Sequence, residues 1–114
     1  MKQLFSLIPE SFGIMPESNG LIHTISAPAD MPDELTISPG ERVCIPTGIE
    51  VCVPWGFILL LQPSAKGEVF PIDCIVQQTG GELKMWGCNL TPKPISLHPH
   101  SILCDAVLVK TISP

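Results

Sequence analysis

Charge is scarce in this chain, and positive charge is scarcest. Six Lys+Arg stand against eleven Asp+Glu in 114 residues, for a net charge of −5. The cations are scattered and form no basic stripe, so no nucleic-acid partner is expected. Tyrosine is absent, and aromatics reach only 5%. The five cysteines, Cys44, Cys52, Cys74, Cys88 and Cys104, contain no CxxC pair. An odd set embedded among Val, Ile and Leu reads as buried free thiols in a reducing compartment, not as a disulfide framework or a zinc site. No Ser-His-Asp order, HExxH, P-loop or GxGxxG occurs. The N-terminal run MKQLFSLIPESFG is stopped by Pro9. It is too short for a signal peptide or a bilayer span, so a cytoplasmic or nuclear protein without membrane insertion is expected.

Helical periodicity is missing as well. Thirteen prolines remove backbone donors and break interior helix, while 45% apolar residues suffice for a core. The length suits one domain over 1–114, with residues 1–19 as an extended arm carrying one short strand and 110–114 as a short tail. Turn signals divide the rest into strands over 20–25, 35–37, 42–45, 49–53, 57–61, 72–76, 83–88, 95–97 and 101–112. Ser38-Pro39-Gly40-Glu41 has the composition of a type II turn, and Pro46-Thr47-Gly48 reads as a turn between two strands. The sum is an all-β jelly roll or β-barrel of short strands, with little or no helix. Low charge and positive mean hydropathy point to apolar surface covered by other subunits.

Few side chains suggest chemistry. His98-Pro99-His100 reads as an exposed turn more readily than as metal ligands. His23 reads as a hydrogen-bonded structural histidine, and Asp30, Asp33 and Glu34 as a solvated acidic loop. Trp55 and Trp86 suit packing or contact surfaces. The loop Gln62-Pro63-Ser64-Ala65-Lys66-Gly67 holds one hydroxyl, one cation and a glycine. It reads either as a phosphate cradle or as a plain turn.

The run LTISPGERVCIPTGIEVCVPWGFILLLQPSAKG resembles the trimeric dUTPase family, in which a "PG…VPTG" segment leads through an apolar strand into the loop "PRSG". Further along, NGLIHTI is similar to the first family motif, "AGxDL". TGGELKMWGCNLTP is similar to the end of the third, and LHPHSILCDAVLV to the fourth, "GxRIAQ". The resemblance covers roughly residues 18 to 110 in family order and implies a homotrimer. For the family it implies hydrolysis of dUTP to dUMP and pyrophosphate with Mg2+. That chemistry uses an aspartate, an Arg-Ser pair, a second aspartate with a stacking tyrosine, a glutamine and a glycine-rich C-terminal arm.

This chain departs from most of that set. Ile22 stands at the first aspartate, Pro63 at the arginine and Ala65 at the following glycine, while Ser64 is kept. The third motif places either Asp73 or Val76 at its aspartate, and Thr79 or nothing at its tyrosine. The glutamine falls near Cys104 or Asp105, and only five residues follow Val109. The expectation is a non-catalytic viral protein that acts through protein–protein contacts with a host or viral partner in a host cell, without a cofactor. Size makes it similar to the adenoviral early-region dUTPase-like proteins, which implies a signalling adaptor. Their PDZ-binding tail is matched poorly by Ile112-Ser113-Pro114. The alternative is a divergent dUTP diphosphatase with Asp73 and Ser64 as catalytic residues and Mg2+ as cofactor, or a nucleotide-binding relic on Ser64, Lys66 and Glu82. Ile102, Leu103, Val107 and Val109 are the expected oligomer contacts.

Overall fold

The computed structural model describes residues 3–111, and these form eleven strands and no helix. They are β1 (Phe5–Leu7), β2 (Glu17–Asn19), β3 (Ile22–Ser26), β4 (Leu35–Ile37), β5 (Arg42–Val51), β6 (Phe57–Gln62), β7 (Phe70–Ile72), β8 (Ile75–Val76), β9 (Glu82–Cys88), β10 (Ile95–Leu97) and β11 (Ile102–Lys110). One sheet runs β1-β5-β9-β7, a second runs β2-β3-β11-β6-β8, and β4 pairs with β10. The all-β architecture expected from the prolines and turn spacing is present.

Alternation along each strand explains the core. In β9, Leu83 and Met85 are buried while Lys84 and Trp86 are exposed. In β6, Leu59 and Leu61 are buried, whereas Ile58 and Leu60 are only half-buried. The second face of β6 is therefore only partly covered within the protomer. Both sheets and the short ribbon feed one cluster that includes Ile25, Ile37, Ile49, Leu59, Met85 and Leu103. Each such side chain contributes about 1.5–3 kcal/mol on burial.

Three local readings change. Pro46-Thr47-Gly48 is not a turn. β5 is continuous, with a register shift against β9 between Pro46 and Glu50. The buried Thr47 hydroxyl donates to the Leu83 carbonyl at 2.6 Å and accepts from Ile49 N at 3.3 Å. Gly48 takes φ 75°, which makes a bulge where a turn was expected. The segment 72–76 is two strands. Asp73, at φ 54°, carries the chain from β7 in one sheet to β8 in the other. The N-terminal arm contributes two strands, β1 to the first sheet and β2 to the second. Its middle is tied to the bulge, because Ile8 N and Ser11 Oγ both donate to the Gly48 carbonyl at 3.1 and 2.9 Å. The Ser38–Glu41 turn forms as expected, with Gly40 at φ 78° and Glu41 N donating to Ser38 O at 2.9 Å. The last predicted strand ends, within the described residues, at Lys110; Ile112 lies outside them.

Burial also sets two measurable properties. A Cβ on Gly87 would lie 2.1 Å from Val69 Cγ1. Gly87→Ala is expected to cost about 1–3 kcal/mol in urea unfolding. Adding Val69→Ala should make the pair less destabilised than the sum of the two single changes; simple additivity would reject the contact. Burial, with Asp105 and Cys74 nearby, pushes the Cys104 thiol up to about 12. The folded state thus holds this proton more tightly than the unfolded one, so stability is full below pH 9 and is lost as pH rises towards 12. Between those limits the loss should be about 1.4 kcal/mol per pH unit, and Cys104→Ala should lack it in alkaline melts.

Candidate functional site

The loop after β6 is built by its own serine. Gly67 N donates to Ser64 O at 3.0 Å, and Lys66 N donates to Ser64 Oγ at 3.3 Å. Pro63 has no donor to offer. The two amides a phosphate cradle would aim outward are thus used inside the loop, which closes as a turn. Gly67 also lies close against β11, where a Cβ would meet the Leu103 carbonyl at 3.2 Å.

A cavity of about 480 Å³ opens beside this loop. Ser64, Ala65 and Lys66 form one wall, Ile22 and Thr24 of β3 another, and Ile102 and Asp105 of β11 a third. Glu17 of β2 completes the charged groups. Asp105 pairs across the sheet with Thr24 on one side and Gln62 on the other. The Thr24 hydroxyl donates to Asp105 Oδ1 at 3.2 Å. The fold therefore gathers the segments similar to the first, second and fourth motifs. Thr24, Glu17 and the convergence of Asp105 on Ser64 were missed in the sequence, since the Thr24–Asp105 contact spans 81 positions.

The remaining predicted residues sit elsewhere. Asp73 is exposed in the link between β7 and β8. Val76, the other choice for that motif, is a core residue at 8% exposure. Glu82 does not join Ser64 and Lys66. It lies in the other sheet, where its Oε2 accepts from Gly48 N at 2.9 Å, and it lines a different cavity. Leu103 is corrected from contact residue to core: it is fully buried in the protomer. Ile102 and Val107 are half-buried and Val109 is exposed, the last two on the outer face of β11. Across that outer face Val107 stands opposite Ile22 and Leu60, and Leu60 opposite Ile75. From β3 to β8 the row is apolar; Asn19 of β2, opposite Ile22, closes it with a polar side chain.

Other candidates resolve more simply. His98 and Ser101 close a turn through His98 N to Ser101 Oγ and Ser101 N to His98 O, and His98 Nδ1 lies 2.6 Å from the Asp33 carbonyl. His23 Nδ1 meets Ser18 Oγ at 2.6 Å, and its ring packs edge-on to Phe5. Asp30, Asp33 and Glu34 are exposed. Trp55 is 87% and Trp86 42% exposed, so neither belongs to the core. All five cysteines are free; Cys88 and Cys104 are buried, the other three half-buried.

Magnesium, which the family chemistry implies, does not fit the donors present. Ile22 stands where the resemblance expects a carboxylate, and the carboxylates lining the cavity are Glu17 and Asp105. Among the described residues no three His, Cys, Asp or Glu side chains stand close enough to hold an ion.

No protein-family model matches the sequence, and no curated protein matches it. Solved structures do. The dUTPase of Staphylococcus bacteriophage 80alpha superposes with a TM-score of 0.78 at 15% identity, over 96% of this chain and 90% of the phage protein. That enzyme is described as controlling transfer of virulence genes by a proto-oncogenic G protein-like mechanism. A point mutant of the dUTPase from phage phi11 of S. aureus, a protein described as coordinating a structural Mg(II) ion, gives 0.77 at 17% identity over 96% and 91%. The native dUTPase of EIAV gives 0.73 at 16% identity over 88% and 85%. At these identities the likeness speaks for architecture alone, and the chain has the dUTPase-like fold.

Proposed function

We propose that this chain is a non-catalytic protein of the dUTPase-like fold that acts through protein–protein contacts, as a viral signalling or regulatory adaptor in the cytoplasm or nucleus of a host cell. The carrying observation is the cavity beside Ser64. Its walls hold Ile22 and Ala65 and its loop begins with Pro63, where hydrolysis needs a carboxylate, a flexible glycine and a guanidinium. Each such group, when lost alone, commonly costs ~10²–10⁴ in rate. The fold itself survives such losses because its core and turns do not use those residues. A signalling role is compatible with this scaffold, since the 80alpha dUTPase is described as working by a G protein-like mechanism. No cofactor is part of this reading.

A second reading has one observation in its favour. Ser64, Lys66, Thr24 and Asp105 do converge on one cavity, which suits a residual nucleotide or phosphate contact. Asp73 does not line this cavity, although it precedes Cys74, whose carbonyl accepts from Leu61 N at 2.7 Å near the end of β6.

A homotrimer is part of the proposal. The outer row Ile22, Val107, Leu60 and Ile75 leaves apolar surface for a second copy to cover. Its polar flank is the Thr24–Asp105 pair.

Two measurements separate these readings. With dUTP and Mg2+, pyrophosphate release should equal the protein-free rate, and a non-hydrolysable dUTP analogue should give no heat on titration. Turnover that disappears in Asp73→Ala or Asp105→Asn would establish the enzyme instead. Sedimentation at micromolar concentration should show three copies, and Val107→Lys should yield a folded monomer. A wild-type monomer under the same conditions removes the trimer.

A further inference from the structure

A second cavity, of about 440 Å³, opens between the N-terminal arm, the 28–35 loop and β5. That volume lies in the range of ligand pockets. Its walls are apolar: Phe12, Met31, Leu35, Cys44 and the ring of Pro46. Phe12 is 60% exposed, an aromatic ring held at the mouth with much of its surface uncovered.

Every ionisable oxygen group around this cavity carries the same sign. Glu10 comes from the arm, Asp30 from the acidic loop and Glu82 from β9. Among the described residues, no lysine, arginine or histidine lines it. Lys84 stands opposite Pro46 in the sheet but is not among the lining residues. Glu82 is fixed by its bond to Gly48 N. Glu10 sits at φ 65° and next to Ser11, whose hydroxyl is bonded to Gly48 O, so the arm presents its carboxylate from an anchored turn. The Ala29 amide donates to Phe12 O at 2.9 Å and ties the arm to the loop that bears Asp30. Three carboxylates from three separate segments are thus held around one apolar opening.

We infer that this cavity is the docking site for a partner protein segment in which an apolar side chain is flanked by arginine or lysine. The apolar walls take the hydrophobic side chain. The carboxylates take the flanking cations, with arginine suited to bidentate pairing. Complementary charge selects against acidic segments, which would bring like charges together. The open mouth, rimmed by exposed Phe12, Glu10 and Asp30, suits a side chain projecting from an extended chain. The inference rests on the interaction reading above and gives it a surface and a class of partner.

The test uses fluorescein-labelled decapeptides in which a leucine-phenylalanine pair is flanked by two arginines, by two serines or by two glutamates. Fluorescence polarisation with the full chain should show saturable binding of the arginine peptide, at least tenfold weaker binding of the serine peptide and none of the glutamate peptide. Binding should weaken as salt rises from ~50 to ~500 mM. The exposed-residue double variant Glu10→Gln/Asp30→Asn should bind the arginine peptide about tenfold more weakly with an unchanged melting temperature, the order expected of two partly exposed ion pairs. Phe12→Ser should weaken the arginine and serine peptides alike. The inference is overturned if the arginine peptide fails to bind, if it binds the double variant as well as the parent, or if the serine peptide binds equally well. The latter outcome would make the cavity a site for apolar ligands only. Failure here with no dUTP turnover leaves the non-catalytic reading standing. Peptide binding together with turnover keeps the site and removes that reading.

Discussion

The bulge at Thr47 and Gly48 is the constraint on which much of the molecule depends. A strand that bends inside a sheet leaves backbone groups unpaired, and each must find a partner or cost roughly 1–3 kcal/mol. Here the partners come from three directions. Thr47 turns its hydroxyl inward to the Leu83 carbonyl, Glu82 takes the Gly48 amide, and the arm supplies Ile8 N and Ser11 Oγ for the Gly48 carbonyl. The fit is close enough that Gly13 must also be glycine, because a Cβ there would stand 2.4 Å from Gly48 O. One glycine in the left-handed region therefore fixes where the arm lies as far as Gly13. It also places Glu10 and Phe12 beside Met31 and Cys44, which is how a short arm with almost no core residues becomes the wall of a cavity.

β11 plays the matching role in the second sheet. It pairs with β3 on one side and β6 on the other, so residues far apart in sequence become neighbours on its two faces. Its inward side chains, Leu103, Cys104 and Ala106, are fully buried. Its outward ones, Asp105, Val107 and Val109, divide into a polar end beside the Ser64 loop and an apolar end beside Ile58 and Leu60. The polar cavity wall and the apolar row thus share β11 and meet at Ile22 of β3, which belongs to both. Altering the polar end leaves the core and the apolar row in place. That is the physical reason a scaffold of this kind can lose hydrolysis without losing its shape.

How much of this was legible in the sequence depended on the range of the interactions. Local rules worked: Gly40 forms the type II turn its neighbours demand, and the alternation of Ile49, Glu50 and Val51 gives the buried and half-buried faces it should. The all-β class followed from proline content and turn spacing. Pro46-Thr47-Gly48 was misread because its composition is that of a turn; whether it turns or bulges is decided by Leu83 and Glu82, far along the chain. Leu103 was misassigned because the register shift between Ile102 and Cys104 alters which β11 side chains face inward. The Ser64 site was half-legible. Its loop could be found by resemblance, but its Thr24 and Asp105 walls exist only through strand pairing. The acidic cavity was not legible at all, since Glu10, Asp30 and Glu82 belong to three segments that nothing local connects.

The two uncovered surfaces differ in a way that follows from charge. Six Lys+Arg against eleven Asp+Glu leave several carboxylates without a partner of opposite sign. Where carboxylates lie on open surface, as with Asp33 and Glu34, solvent and neighbouring hydroxyls satisfy them; Glu34 accepts from Ser96 and Thr36. Where Glu10, Asp30 and Glu82 converge around apolar walls, their like charges add to a common field that favours bringing a cation in. The outer row of the second sheet carries no such field, and its geometry suits a second copy of the same chain. Being on different sheets, the two surfaces can be occupied together. An assembly closed by the apolar row would then present one acidic cavity per subunit. A partner segment repeated at matching spacing would gain from every cavity engaged, since each further contact forms at the high effective concentration set by the first.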